Sequence, residues 1–280
     1  MLKKLQESVH FFTSNSLLIF LISISVVVPS LIVVSSLNFL LGTDLPGRVL
    51  RVIRWILSFR VIEGVLGLIT IGSTIHIIYM FNKGQTAGYL EAISIGLSKW
   101  GKLTLATIIF TLVIISGYIV TILLREIFNC INEYIAVCIE FFGFIISLIV
   151  MIILSIQYAL IDFVVVLEET GPSKWLKRAA QLASGRRWEI FSMLILVNLV
   201  FYIITYAFQS MPVLSDNVLL TDSLSLILGS IQSIFITAVL FLFYWESREK
   251  QEERKRKLIL SKAWLEYRIW RIVKFKKRKL

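Results

Sequence analysis

Two adjacent carboxylates, Glu168 and Glu169, end a long apolar run and stand directly before Gly171-Pro172. A carboxylate pair can exchange protons with a substrate or hold a cation. At the mouth of an apolar helix the same pair can instead face Lys174, Arg178 or Arg187 and fix how the following segment docks. A charge at the end of a membrane span costs far less than one at its centre. Glu168 therefore reads as a structural anchor.

His76 reads as the most deeply placed titratable group, inside an apolar run, while Asn198 and Gln232 fall near the middle of two others. Together they can line a solute path or bond helix to helix, and polar side chains at such depth most often do the latter. No Cys, Asp or second His stands at ligand spacing around His76, so no metal site is expected. Arg48, Arg51 and Arg54 repeat every third residue, the pattern of a voltage-sensing helix. They precede an apolar run instead of lying within one, and read as interfacial side chains that snorkel. No P-loop, GxSxG elbow or HExxH motif occurs. Neither catalysis nor a cofactor is expected.

Long apolar segments must position these residues. Of the chain's 280 residues 57% are hydrophobic and 17% charged, against about 25% charged in a soluble domain. Runs of about 20 apolar residues cross roughly 30 Å of hydrocarbon as helix. They predict spans over residues 16–41, 61–81, 103–124, 134–167, 188–208 and 223–245. The fold class is thus all-α, a polytopic membrane protein of six spans (residues 1–245) with a tail over 246–280. Continuous runs exclude a transmembrane β-barrel, whose strands alternate. The first run is too long for a signal-peptide core and reads as a retained span, kinked at Pro29. Two amphipathic segments read as cytoplasmic surface helices. One is 86–102; the other follows Pro172, with Leu176, Ala179, Ala180 and Ala183 opposite Lys174, Lys177, Arg178 and Gln181. Cys130 and Cys138, about 12 Å apart along one helix, lie beyond disulfide reach and read as free thiols.

The tail holds most of the charge. Residues 246–280 carry 14 Lys/Arg and 5 Asp/Glu, which is +9 of the formal net +11. Trp264 and Trp270 interleave there with basic residues that include Lys274, Lys276 and Lys277. Anionic lipid headgroups attract juxtamembrane Lys and Arg by about 1 kcal/mol each, and aromatic rings settle at that interface. Ribosomal RNA attracts the same charges. Because the tail starts at the membrane, the lipid bilayer is the default partner, with the ribosome or other membrane proteins behind it; specific DNA binding is not expected. With the N-terminus inside, the inner segments hold 24 Lys/Arg and the outer ones 5. The positive-inside rule then places both termini in the cytoplasm of a cell (inner or plasma) membrane.

The run Asp162-Phe-Val-Val-Val-Leu-Glu168-Glu-Thr-Gly171-Pro172, then Leu176-Lys-Arg178-Ala179-Ala180, then Leu182-Ala-Ser-Gly185-Arg186-Arg187-Trp188 resembles a known pattern. It is similar to the segment joining spans four and five in the membrane-domain family of glycerophosphodiester phosphodiesterases and its uncharacterised six-span bacterial relatives. The resemblance covers residues 86–245, and its specific part is the central stretch around 162–188. Where that family carries a catalytic phosphodiesterase, it is a separate soluble domain, for which the 35 residues after the sixth predicted span leave no room. The resemblance implies a fold and a membrane location, and no reaction. The expectation is a non-catalytic membrane component in organisation, assembly or lipid handling; the alternative is a small-solute transporter or channel. A water-accessible path reaching His76, Asn198 or Gln232 would favour transport, and a tightly packed interior the organising role.

Overall fold

An apolar segment in lipid must satisfy its own backbone polar groups, and a helix does so within one segment. The computed structural model describes residues 2–25, 28–29, 59–130, 132–168, 170–210 and 218–277, and all regular structure among them is helical. In chain order the helices are α1 (Leu2–Ser14), α2 (Ser16–Ser25), α3 (Phe59–Asn82), α4 (Tyr89–Asn129), α5 (Glu133–Tyr158), α6 (Ile161–Leu167), α7 (Pro172–Ala183), α8 (Arg187–Gln209) and α9 (Val218–Lys277). Among the described residues four helical segments are long and apolar enough to cross a membrane, or five if the bent α1–α2 pair is one span. Gly67–Asn82 is a shorter apolar helix. The turn expected at residues 42–47, together with Arg48, Arg51 and Arg54, lies outside the described residues. The kink expected at Pro29 cannot be placed either, since its neighbours 26, 27 and 30 are also outside.

Helix ends follow local chemistry. At the end of α3, Gly84 takes φ +73°, and the Gly84 and Gln85 amides bond back to Phe81 and Met80 at 2.9 and 3.0 Å. This left-handed turn caps the orphan carbonyls of the last helical turn. Asn132 starts α5, its side chain accepting from the amides of Tyr134 (2.8 Å) and Ile135 (3.4 Å). The bend of 75° between α1 and α2 falls at Asn15, whose side chain bonds to the Phe11 carbonyl at 3.0 Å.

Three segment boundaries differ from the sequence expectation. The surface helix expected at 86–102 and the span expected at 103–124 are one helix of 41 residues, α4. No proline interrupts it, and Gly96 packs against α3 instead of breaking the chain. The span expected at 134–167 runs as one apolar segment, Glu133–Leu167. Its helical bonding is interrupted at Ala159–Leu160, where the Ala159 amide reaches Ile156 at 3.4 Å instead of the residue one position earlier. Beyond the interruption α6 buries Ile161, Phe163, Val164, Val165 and Val166. The third is the tail, which continues the last span without a break in the 60-residue α9.

The core forms where α6 is wrapped by α3, α4, α7 and α9. Phe163 stacks on Tyr244 at 5.5 Å between centroids and meets Phe241 edge-on at 6.0 Å. α4 and α5 form a hairpin held by the Thr121–Ser147 hydroxyl pair (3.1 Å) and the Arg125–Glu140 ion pair (3.3 Å). Its outer surface carries exposed apolar side chains such as Leu112, Phe141 and Ile146, as suits a helix facing lipid. The two cysteines, both on this hairpin, are free and exposed.

Candidate functional site

The α6–α7 junction is built from Glu168 outward. α6 stops because Glu168 turns extended (φ −108°, ψ 132°) and Pro172 opens α7 at its first position, where a missing amide proton costs nothing. Trp175 plugs the junction. Its indole N–H donates to the Thr170 carbonyl at 2.8 Å and its ring is 2% exposed. Of the three partners the sequence offers Glu168, the structure selects Arg178, whose Nε donates to Glu168 Oε2 at 2.7 Å. Tyr244 Oη donates to the other carboxylate oxygen at 3.3 Å. Arg178 Nη1 donates to Gln251 Oε1, and Gln251 Nε2 donates to the Gln181 carbonyl at 3.4 Å. One carboxylate thus links α6, α7 and α9. Glu169 lies outside the described residues.

The docked face of α7 is Trp175, Ala179, Leu182 and Ala183, with Leu176 and Ala180 half-buried. Arg178, expected on the solvent face, turns inward to reach Glu168; its long apolar stem permits this. Gly185 (φ +82°) then reverses the chain, and Arg186 begins a second cluster. Arg186 Nη2 lies 2.8 Å from Glu246 and 3.1 Å from Glu189, while Glu246 also holds Lys4 at 2.8 Å and Lys250 at 3.0 Å. Lys4 Nζ sits 3.6 Å over the Phe243 ring. Arg187 and Trp188 are exposed, so this part of the motif does not join the clamp. Glu168 spends one oxygen on Arg178 and the other on Tyr244, and Glu246 is held by Lys4, Arg186 and Lys250, so among the described residues the junction is a clamp.

The polar groups in the middle of the bundle behave differently. Gln232 Nε2 donates to Asn198 Oδ1 at 2.8 Å, and Asn198 Nδ2 to the Leu194 carbonyl at 2.7 Å, so α8 and α9 are bonded together as expected. His76 does not join them. It pairs with Glu91 at 3.2 Å, tying α3 to the first turn of α4. The residue that does join is one that sequence reasoning passed over, Asp162. It shares with Gln232, Ser233 and Thr237 the wall of a cavity of about 290 Å³, closed on the α3 side by Ile71. The available signal was an acidic residue inside a predicted span.

Among the described residues no group of three metal-ligating side chains occurs. Trp264 and Tyr267 are exposed on α9, and Trp270, Lys274, Lys276 and Lys277 lie on its last turns. No family model, curated protein or solved structure matches the chain, so the resemblance over residues 162–188 stands on those residues alone.

Proposed function

We propose that the chain is a six-span small-solute transporter or channel of the cell membrane, with both termini cytoplasmic and no catalytic role. The observation that carries this reading is the cavity walled by Asp162, Gln232 and Ser233. Asp162 lies six residues, about 9 Å of helix, from Glu168, and Gln232 fourteen residues, about 21 Å, from Glu246. Both ionic clusters lie at the same end of the bundle, so these distances are depths from one side. The cavity covers the middle of a hydrocarbon layer about 30 Å thick. A carboxylate there costs about 3 kcal/mol, and such residues mark substrate and ion paths. A purely organising protein gains nothing from it. The test uses a Cys130→Ser/Cys138→Ser background in native membranes. A small, polar, membrane-impermeant thiol reagent should modify Ser233→Cys and Gln232→Cys and spare Ile234→Cys, whose side chain is buried beside them. Equal inertness at 232, 233 and 234 would return the chain to the organising role.

That second reading has its own support. From Glu246 to Lys277, α9 extends about 47 Å, and Leu260, Trp264 and Tyr267 recur along it at helical spacing, all exposed. Bent at the membrane face, the extension would set its basic and aromatic residues among anionic headgroups. Projecting from it, the extension carries them beyond the screening length of about 8 Å, toward ribosomal RNA.

A further inference from the structure

From the cavity's lining we infer that Asp162, with Gln232 and Thr237, forms a site for a single small positive charge: a proton, a sodium ion or a small ammonium group. The inference rests on the transport reading for its role in the cell, and on the lining alone for its chemistry. The lining offers acceptors. Gln232 Nε2 is committed to Asn198 at 2.8 Å, which leaves Gln232 Oε1 open. The Thr237 hydroxyl proton is committed to the Ser233 carbonyl at 2.8 Å, which leaves the Thr237 oxygen lone pairs open. Asp162 adds an acceptor-only carboxylate when ionised. Among the described residues it makes no hydrogen bond and no ion pair.

Among the described residues, the charged and titratable groups on the helices around α6 are engaged elsewhere or lie away from the cavity wall. On α3 and α4, His76 and Glu91 hold each other. On α7, Arg178 is bound to Glu168, and Lys174 and Lys177 are exposed. On α9, Tyr244 donates to Glu168, and Glu246 is held by Lys4, Arg186 and Lys250. On α4, Lys99 and Lys102 stay off the cavity wall. A desolvated carboxylate with no protein cation beside it is costly until a cation or proton arrives. One carboxylate among neutral oxygens suits a monovalent charge; divalent sites draw on more carboxylates. At about 290 Å³ the cavity stands at the small end of ligand pockets, with room for an ion and its waters or a short-chain amine.

The experiment uses the full chain purified in detergent and follows the unfolding temperature at constant ionic strength. Choline chloride is exchanged stepwise for sodium chloride or methylammonium chloride at neutral pH, and pH is varied separately in choline. The wild type should show a saturable rise with sodium or methylammonium, or, if the proton is the ligand, a rise as pH falls with no response to either cation. Asp162→Asn, which keeps shape and removes the charge, should flatten whichever response the wild type shows. In choline it should be at least as stable as the wild type, because no unpaired charge remains. Glu168→Gln, outside the cavity, should keep the wild-type response. A wild type that responds in none of these arms, or an Asp162→Asn protein with the full wild-type response, overturns the inference. Since the readout is binding, reactive cavity cysteines with no cation response would refute this site and leave transport standing. A cation response with inert cysteines would refute transport and leave the site standing.

Discussion

Replacing Glu168 tests whether the junction is held by an ion pair or by apolar packing alone. Glu168 and Arg178 side chains are 14% and 23% exposed, with a 2.7 Å contact between them. Removing one partner of a fully buried pair costs about 3–5 kcal/mol, because the survivor stays charged and desolvated. Two features lower that figure here: both groups retain some solvent, and Arg178 keeps Gln251 as a partner. A charge-assisted hydrogen bond is worth about 1.5–3 kcal/mol, so Glu168→Gln should destabilise by about 2 kcal/mol. Arg178→Met should cost about the same or slightly more, since Glu168 is then left with Tyr244 alone at 3.3 Å. The double variant should cost less than the sum, with a coupling of about 1–2 kcal/mol, as expected for residues in direct contact. The assay is denaturant unfolding of the purified full chain in mild detergent, run on wild type, both single variants and the double. Strict additivity would refute the pairing. Unchanged stability in Glu168→Gln, with loss of a cellular phenotype, would refute the clamp and make the carboxylate a functional group.

Three further outcomes are expected. A methyl added at Gly96 would stand 2.5 Å from the Ile69 carbonyl oxygen on α3, whereas at Gly101 it would meet no atom within 4 Å; Gly96→Ala should therefore destabilise by about 1–2 kcal/mol and Gly101→Ala stabilise by up to about 1 kcal/mol, and the same sign at both positions in thermal unfolding would refute the α3–α4 packing. Single cysteines at Gln85 and Lys174 should be labelled only from the cytoplasm and one at Asp216 only from outside, with external labelling at 174 sinking the both-ends-in topology. A peptide covering residues 247–280 should bind anionic vesicles, lose most of that affinity when salt is raised several-fold, and lose its salt-resistant part on Trp264→Ala/Trp270→Ala; equal binding to neutral vesicles would refute the electrostatic account, and tighter binding to ribosomes at matched salt would reassign the tail.

What was legible in the sequence is what depends on one segment at a time. Apolar runs forecast the helices, and Gly171-Pro172 and Gly185 forecast the ends of α7, because each acts within a few residues of itself. The interruption at Ala159–Leu160 had no such local sign, since neither residue is a Gly or Pro. The same limit explains the exchange of roles between His76 and Asp162. Taken as an unbroken run of 34 residues, span 134–167 places Asp162 near its end, where a carboxylate is cheap. With α9 packed against α6 through Phe163, Phe241 and Tyr244, Asp162 lines the cavity it shares with Gln232 and Thr237. His76, central in its own run, meets Glu91 from a neighbouring helix.

Asp162 and Glu168 make the contrast sharpest, because they are six residues apart on the same stretch of chain. Depth alone would rank both as carboxylates approaching a span's end. One finds an arginine 2.7 Å away, and its charge is satisfied by the protein itself. Among the described residues the other meets neutral oxygens and apolar side chains around a space large enough for a ligand. A carboxylate whose cation is built in stabilises a fold. A carboxylate whose cation must come from outside makes the fold respond to what arrives, and that difference in partner is why the function is sought at Asp162 and the architecture at Glu168.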